Sequence, residues 1–471
     1  MPRSSTLRRL ALASLLLLAL AAATWHRELV NLYHFATLFS AASIVENFRT
    51  MPDHWPSRAV HRRGAVFELH SEPVDLPRSF GYRGAERDMD EFLARRATTG
   101  LLVISHDRVT AERYFLGNTA QTRAISWSVA KSFVSALVGI AIREGKIRGV
   151  DAAVTDYVPQ LAGSGYDGVR LKDVLQMSSG IRFREDYGDL TSDINRMGID
   201  LSLGVPLRRF VAGLGNEKPP GTYNRYVSMD TQVLGMVLAG ATGNNLSAYL
   251  EEKIWSRIGA ESDAYWLLDG EGVEWAFGGL NMTLRDYGRF GLLYLRGGAW
   301  DGQSIVPSEW IRASVTPDAP HLMPGKNPAS DSRFGYGYQW WIPEAAGAEG
   351  TGKPSSEFLA IGVYGQYIYV APDHDLVIVK TSADRDFQTD DYESDFETLA
   401  ALRAIAGSLP PTGQPGALAR QASVEPAGSW RRCLPKDDQS FLRRNPGVAV
   451  ARCSSAAGVH VHRYFPSVRA R

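Results

Sequence analysis

The sequence predicts a mixed α/β protein of the α+β type, in which an antiparallel β-sheet is flanked by helices and accompanied by an all-helical subdomain. Two segments with a strand pattern, residues 100–115 and 366–379, lie far apart in the chain. Between them, residues 151–297 alternate helical runs with loops rich in Gly and Asp and hold few clean strands. The main domain is therefore expected to begin and end in β structure, with a mostly helical region between.

The first half of the domain contains a predicted hairpin and a predicted core helix. Apolar residues 100–105 and 109–115 flank His106-Asp107-Arg108, which indicates two strands and a turn. From Ser128 to about Ile142 apolar residues recur at helical spacing on most faces, and Gly145 ends the element. A helix that is apolar on most faces is expected to be buried.

The second half ends with two strands and a helix. Residues 366–370 and 376–379 predict antiparallel neighbours joined by the turn at 371–375. An amphipathic helix follows, whose apolar stripe is Phe396, Leu399, Leu402 and Ala406. We expect the catalytic unit to span residues 65–408, after a leader at 25–64 that contains loop-like stretches at 55–57 and 62–64. The tail at 409–471 opens with a Pro/Gly linker, is rich in Arg and is predicted to be disordered.

The charge balance and the N-terminus limit the class of protein. The 471 residues carry 51 basic and 51 acidic side chains, so neither nucleic acid nor an anionic membrane is favoured as the main partner, and a small molecule is the default ligand. Residues 1–24 place three arginines before an apolar run at 10–23, the pattern of a signal peptide or signal anchor, with a buried N-terminal helix as the alternative. This pattern predicts a periplasmic or secreted protein, and whether residues 10–23 anchor it to a membrane stays open.

The two cysteines and the histidines do not predict a metal site. Cys433 and Cys453 both lie in the tail, where a disulfide and two free thiols remain equal alternatives. His374 falls in a turn and His460 and His462 in the tail, without a ligand set around them. No metal and no organic cofactor are expected, and the oligomeric state stays open.

Ser128 and Lys131 are the candidate catalytic pair. They stand three residues apart at the start of the apolar helix, so both side chains point to one face. A serine hydroxyl needs a nearby base before it can attack a carbonyl, and burial lowers the pKa of a lysine amine towards neutrality. The N–H groups at the start of the helix favour a developing oxyanion near Ser128.

Further motifs make a family resemblance specific. Ser128-x-x-Lys131 on a core helix, Tyr226-Val227-Ser228 before a second helix, and a Gly-rich strand near the end resemble the serine β-lactamase and penicillin-binding superfamily. Within it, the chain is most similar to class C β-lactamase-like esterases and 6-aminohexanoate-dimer hydrolases. Residues 175–180, 278–291 and 334–341 are similar to other landmarks of that family.

The resemblance implies roles for particular side chains. Ser128 would be acylated, Lys131 would accept or shuttle its proton, and Tyr226 would act as partner base and then as acid to the leaving group. Tyr226 is preferred to Tyr223 because the family pattern places the tyrosine two residues before Ser228. Ser228 would bind Lys131 or substrate, with helix capping as the alternative.

The third family motif departs from the pattern at Ala360-Ile361-Gly362. Relatives carry Lys or His here to hold a substrate carboxylate, and Ala360 cannot, so efficient β-lactam hydrolysis is disfavoured. Gly362 allows close backbone approach, and the N–H groups of Val363 and Ser128 would form the oxyanion hole. Gly362 and Tyr364 are counted with Ser228 as candidate substrate-binding residues.

These observations predict a serine hydrolase that cleaves a small ester or a linear amide through an acyl-enzyme. No Gly-x-Ser-x-Gly is present, which argues against an α/β-hydrolase. The loop at 185–189 could line a substrate cleft, but a solvated acidic loop is the preferred interpretation. Trp340 and Trp341 are interpreted as core or rim aromatics. The alternatives are a β-lactamase or DD-peptidase, a non-catalytic module that binds cell-wall peptides, and a structural envelope protein.

Overall fold

The main sheet has eight strands, of which the central ones are buried on both faces. The computed structural model describes residues 12–14, 25–388, 392–409, 448–454 and 460–466. The chain divides into a unit at 1–420 and a unit at 421–471. In chain order the strands of the first unit are β1 Ser57–Val60, β2 His70–Ser71, β3 Ser79–Tyr82, β4 Ala85–Asp88, β5 Thr98–Ser105, β6 Arg108–Tyr114, β7 Ala124–Ile125, β8 Ala264–Leu267, β9 Leu280–Met282, β10 Ala299–Trp300, β11 Gln303–Ser304, β12 Gly335–Tyr336, β13 Trp341–Ile342, β14 Phe358–Gly362, β15 Gln366–Ala371 and β16 Leu376–Ser382.

The strand order of the main sheet is β12-β13-β14-β15-β16-β5-β6-β2. Neighbours are antiparallel, except that β2 runs parallel to β6. The predicted hairpin at 100–115 and the predicted strands at 366–379 thus meet in one sheet, where β5 pairs with β16. The expected antiparallel sheet with flanking helices is confirmed.

Helices cover both faces of this sheet and make up the region between its halves. They are α1 His26–Thr37, α2 Ile44–Arg49, α3 Met51–His54, α4 Met89–Arg95, α5 Ala130–Arg143, α6 Leu171–Leu175, α7 Asp193–Ser202, α8 Leu207–Ala212, α9 Ser228–Thr242, α10 Leu246–Leu250, α11 Leu284–Leu295, α12 Ser308–Ser314 and α13 Glu393–Ser408. The predicted core helix and the predicted last helix correspond to α5 and α13. Helices α6 to α10 form the helical region.

The side chains of β5 alternate between two cores. Leu102 and Ile104 belong to the large core that includes Phe290 of α11, whereas Leu101 and Val103 belong to a second core with Leu402 of α13. This alternation is what the pleat of a strand imposes when both faces of a sheet are covered.

The N-terminal segment, residues 25–64, holds regular structure beside its predicted loop-like stretches. Three short helices and strand β1 lie in it, and β1 pairs with β8 in a four-stranded sheet of order β1-β8-β9-β7. Met51, Trp55 and Val60 are buried in the large core. Pro56 and residues 62–64 lie in neither a helix nor a strand, as expected, whereas Ser57 of the stretch at 55–57 begins β1.

The remaining expectations from the sequence concern the two ends of the chain. Strands β17 Val448–Ser454 and β18 His460–Pro466 pair as an antiparallel hairpin in the second unit, where no regular structure was expected. Residues 1–11, most of the targeting segment at 10–23, the linker at 410–416 and Cys433 lie outside the described residues. Within the described part of the chain, no helix is both long and apolar enough to cross a membrane.

Close contact between α11 and the sheet depends on small residues. A methyl group at Gly291 would lie 2.5 Å from Val377 Cγ1 and 3.0 Å from Ile368 Cγ2. We expect Gly291→Ala to lower the free energy of unfolding by about 1–3 kcal/mol, because overpacking costs more than the gain in helix propensity. Chemical denaturation followed by circular dichroism measures this.

Gly407→Ala is the matched control, because it also lies in a helix and a methyl group there meets nothing within 4 Å. It should leave the free energy of unfolding unchanged or raise it slightly. Equal effects of the two variants would contradict close packing at Gly291.

Candidate functional site

Ser128 lies on a tight turn between the four-stranded sheet and helix α5. The chain leaves β7, passes through Trp127 at a positive φ of 44° and forms one 3-10 turn, Trp127–Val129, before α5 begins. Ser128 is buried, with 8% of its surface exposed. Left-handed backbone at a non-glycine residue is uncommon and is often found beside functional groups. The turn presents the Ser128 hydroxyl at the start of a rigid helix.

The Lys131 amine contacts the Ser128 hydroxyl directly. Lys131 Nζ lies 2.7 Å from Ser128 Oγ and donates to the backbone oxygen of Phe277, also at 2.7 Å. Burial lowers the pKa of Lys131 to about 7, while the carboxylate of Glu185 raises it. An amine with this pKa can hold or release a proton near neutral pH.

Tyr226 lies on the other side of the same pair. Its ring is stacked on Trp341 at 5.1 Å, and Lys131 Nζ is 5.0 Å from the ring centre. Burial and Glu185 raise the pKa of Tyr226 well above its ordinary value, and a hydrogen bond with Ser128 opposes this rise. The phenol is therefore protonated at neutral pH.

Tyr223, the alternative tyrosine, is directed elsewhere. Its hydroxyl donates to Asp331 Oδ1 at 2.6 Å, and Lys218 Nζ lies 4.4 Å from the centre of its ring. The fold thus brings Tyr226, and not Tyr223, to Ser128 and Lys131.

Ser228 is bound to a carboxylate that sequence analysis did not assign to the site. Its Oγ donates to Glu185 Oε1 at 2.6 Å, and its N–H donates to Glu185 Oε2 at 2.8 Å. The Tyr187 hydroxyl donates to the same carboxylate at 2.8 Å. Neither the predicted bond to Lys131 nor a capping bond from the Ser228 side chain is present.

The loop that carries Glu185 lines the site, contrary to its interpretation as a solvated acidic loop. Phe183, Glu185 and Tyr187 point inwards, whereas Arg184 and Asp186 are exposed. The alternation of period two between these residues was the available sequence signal. It was obscured because three of the five residues are charged.

Strand β14 brings the third motif against the turn of Ser128. A Cβ atom at Gly362 would lie 2.6 Å from the backbone oxygen of Ser126, so only glycine allows this approach. Val363 lines the same cleft as Ser128. Ile361 faces the cleft as well, whereas Ala360 is buried in the large core.

Tyr364, predicted to bind substrate, packs into a cluster of aromatic rings. It has a positive φ of 62°, and its ring stacks on Phe39 at 4.6 Å with an interplanar angle of 15°. Phe48 meets it edge-on at 5.5 Å. Its ring therefore contacts the N-terminal segment, and it is not among the described residues that line the two cavities beside Ser128.

A cleft of about 480 Å³ opens above Ser128. Aromatic and aliphatic side chains from several elements line it together with three carboxylates. The lining includes Ser128, Glu185, Tyr226, Trp341, Ile361 and Val363. A second, smaller cavity of about 60 Å³ also borders Ser128. Within the described ranges, no three His, Cys, Asp or Glu side chains gather in a way that could hold a metal ion.

Comparison with known proteins identifies the family of this chain. The β-lactamase family model matches residues 85–403. A 6-aminohexanoate-dimer hydrolase from Paenarthrobacter ureafaciens is 32% identical over 346 residues, which cover 71% of this chain and 84% of that protein.

Two solved structures show the same fold. A candidate 6-aminohexanoate-dimer hydrolase from Bacillus anthracis has a TM-score of 0.68 at 23% identity, over 79% of this chain and 97% of that one. A penicillin-binding protein from Bacillus halodurans has a TM-score of 0.51 at 15% identity, over 66% and 99% of the respective chains. Because the family match spans well over half of the sequence, this protein is a hydrolase of the β-lactamase family.

Proposed function

We propose that this protein is a serine hydrolase that cleaves a small ester or a linear amide through an acyl-enzyme on Ser128. The observation that carries the proposal is the contact of 2.7 Å between Lys131 Nζ and Ser128 Oγ at the base of the cleft. A nucleophile with its base already in hydrogen-bond range is the arrangement that covalent catalysis requires.

Acylation begins with transfer of the Ser128 proton to neutral Lys131. The Oγ atom then attacks the substrate carbonyl carbon, and the N–H groups of Ser128 and Val363 stabilise the oxyanion. Collapse of the tetrahedral intermediate breaks the bond to the leaving group, which takes a proton from Tyr226. The Lys131 ammonium is 5.0 Å from the centre of the Tyr226 ring and is the nearby source of a replacement proton. Attack by water on the ester then releases the acid.

The residues that line the cleft favour a substrate that has no carboxylate group next to the third motif, Ala360-Ile361-Gly362. Ile361 occupies the cleft-facing position of β14, and Glu185, Asp186 and Asp395 line the same space. Among the described residues that line the cleft there is no Arg, Lys or His. A linear amide also agrees with the name of the relative from Paenarthrobacter ureafaciens. β-Lactamase or DD-peptidase activity is the second candidate, and a binding module would have no use for the Ser128–Lys131 contact.

Removal of the nucleophile is the first test. Wild type should give a burst with p-nitrophenyl acetate and butyrate and an intact mass increased by one acyl group, and Ser128→Ala should give neither. Ser135→Ala, a change to another buried serine of α5, should keep both. Equal background rates in wild type and Ser128→Ala would overturn the assignment of Ser128.

The acylation rate should rise with pH through the pKa of Lys131. Because the neutral amine is the base, kcat/KM should increase about tenfold per pH unit below about 7 and level off above it. Lys131→Arg should abolish this limb and lower kcat/KM by about 10²–10⁴-fold. A profile that is flat from pH 5.5 to 8.5 would contradict Lys131 as the base.

Glu185 should determine the pH at which kcat/KM rises. Its charge raises the pKa of Lys131, so Glu185→Gln should move the ascending limb to lower pH. Asp186→Asn also removes a carboxylate from the cleft and is the matched control, expected to move the limb less. Equal shifts in the two variants would argue against a specific effect of Glu185.

Tyr226→Phe should lower kcat/KM for amides far more than for activated esters. An amine leaving group must be protonated and p-nitrophenolate need not be, so kcat/KM for an anilide should fall by about 10²–10⁴-fold while p-nitrophenyl acetate is affected far less. Tyr223→Phe should change neither substrate, because its hydroxyl binds Asp331. A similar loss for both substrates would refute Tyr226 as the acid.

A further inference from the structure

The smaller of the two cavities beside Ser128 is lined mainly by apolar side chains. Its volume is about 60 Å³, and Ser128, Tyr187 and Val363 line both this cavity and the main cleft. Ser128 therefore borders both spaces. Aromatic and aliphatic groups supply most of the remaining wall, among them Phe35, Leu38, Phe39, Trp127, Met197 and Phe277.

The outer wall of this cavity comes from the N-terminal segment and is held in place by ring contacts. Phe39 stacks on Tyr364 at 4.6 Å, and Phe48 meets Trp127 edge-on at 5.4 Å. Phe35 packs against α7 at Gly198, where a Cβ atom would clash with its ring. The wall is thus a fixed part of the fold, and it explains why Tyr364 is turned away from the main cleft.

Several polar side chains at this cavity have partners, but the indole N–H groups of Trp127 and Trp275, which also line it, have none among the described residues. The Ser228 hydroxyl donates to Glu185, and the Ser202 hydroxyl donates to the backbone oxygen of Gly198. Asn195 Nδ2 donates to the backbone oxygens of Tyr187 and Asp189, each at 3.0 Å. Apart from these two indole donors the wall is mainly apolar, which favours an occupant that is mainly apolar as well.

We propose that this cavity is the acyl subsite and that it selects substrates with a short apolar acyl group, an inference that rests on the proposed function. Tyr226 and Trp341 line only the main cleft, so a leaving group that takes its proton from Tyr226 must lie there. We place the acyl group in the other space that Ser128 borders, the small cavity. One water needs ~10–15 Å³ of such space, so 60 Å³ accepts about four atoms of water size, or an acyl chain of about four carbons.

Placing the acyl group in the small cavity does not change the chemical steps of acylation. The Ser128 hydroxyl proton passes to Lys131, and a bond forms between Oγ and the carbonyl carbon. The bond from that carbon to the leaving-group oxygen or nitrogen breaks, and the leaving group departs into the main cleft with a proton from Tyr226. The acyl chain stays in the small cavity until water releases it as the acid.

Gly278→Ala tests the subsite by filling it. Gly278 lines the cavity, and a Cβ atom there would lie 3.5 Å from the backbone carbon of Trp127, an ordinary contact, so the variant is expected to fold. With p-nitrophenyl acetate, butyrate and octanoate, wild type should prefer butyrate in kcat/KM. Gly278→Ala should lower the ratio of butyrate to acetate about tenfold, the usual effect of one carbon in an apolar pocket. Gly407→Ala, which is remote from the site, should keep the wild-type ratio.

Phe35→Ala tests the subsite in the opposite direction. It removes part of the outer wall, so the ratio of octanoate to butyrate should rise about tenfold. An unchanged chain-length profile in Gly278→Ala, with the acyl adduct on Ser128 still formed, would overturn the subsite and leave the hydrolase proposal intact. Absence of an adduct in wild type with every ester would instead overturn the proposed function.

Discussion

The contact between the Lys131 amine and the Ser128 hydroxyl is the interaction on which the rest of this site depends. It requires a lysine with only 1% of its surface exposed, and that burial is a property of the whole helix α5. Phe133 of α5 stacks on Phe290 of α11 at 3.5 Å, so the helix is fixed against the element that covers the main sheet. The low pKa of Lys131 is therefore produced by the packing of the core, and only its fine adjustment comes from Glu185.

The elements with a clear hydrophobic period were predictable, and the contacts between distant segments were not. Helix α5 and the strands β5, β6, β15 and β16 follow from local spacing, and the Ser128–Lys131 contact follows from one helical turn. Glu185 was missed because its partner Ser228 lies 43 residues along the chain and nothing local marks the pair. The partner of Ser228 in the structure is therefore Glu185, whereas Lys131 or substrate had been expected.

Tyr364 shows a second limit of a motif carried over from relatives. The motif predicts where β14 meets Ser128, but the side chain that follows it is oriented by a positive φ and by Phe39. The alternation of side chains along β14 has a similar effect. The side chain of Ile361, and not that of Ala360, faces the cleft. The identity of a motif residue is thus less informative than the direction in which the backbone turns it.

The stacking of Phe39 on Tyr364 joins parts of the chain that are roughly 300 residues apart, and this has a consequence for the order of folding. Contacts of such high sequence separation form late, because the loop between them must be closed first. The segments that surround Ser128 include the beginning of the described chain and the strands near the end of the main domain. A chain still being synthesised therefore carries the complete Ser-x-x-Lys helix but not the site, and hydrolytic competence arises only when the last strands have been added.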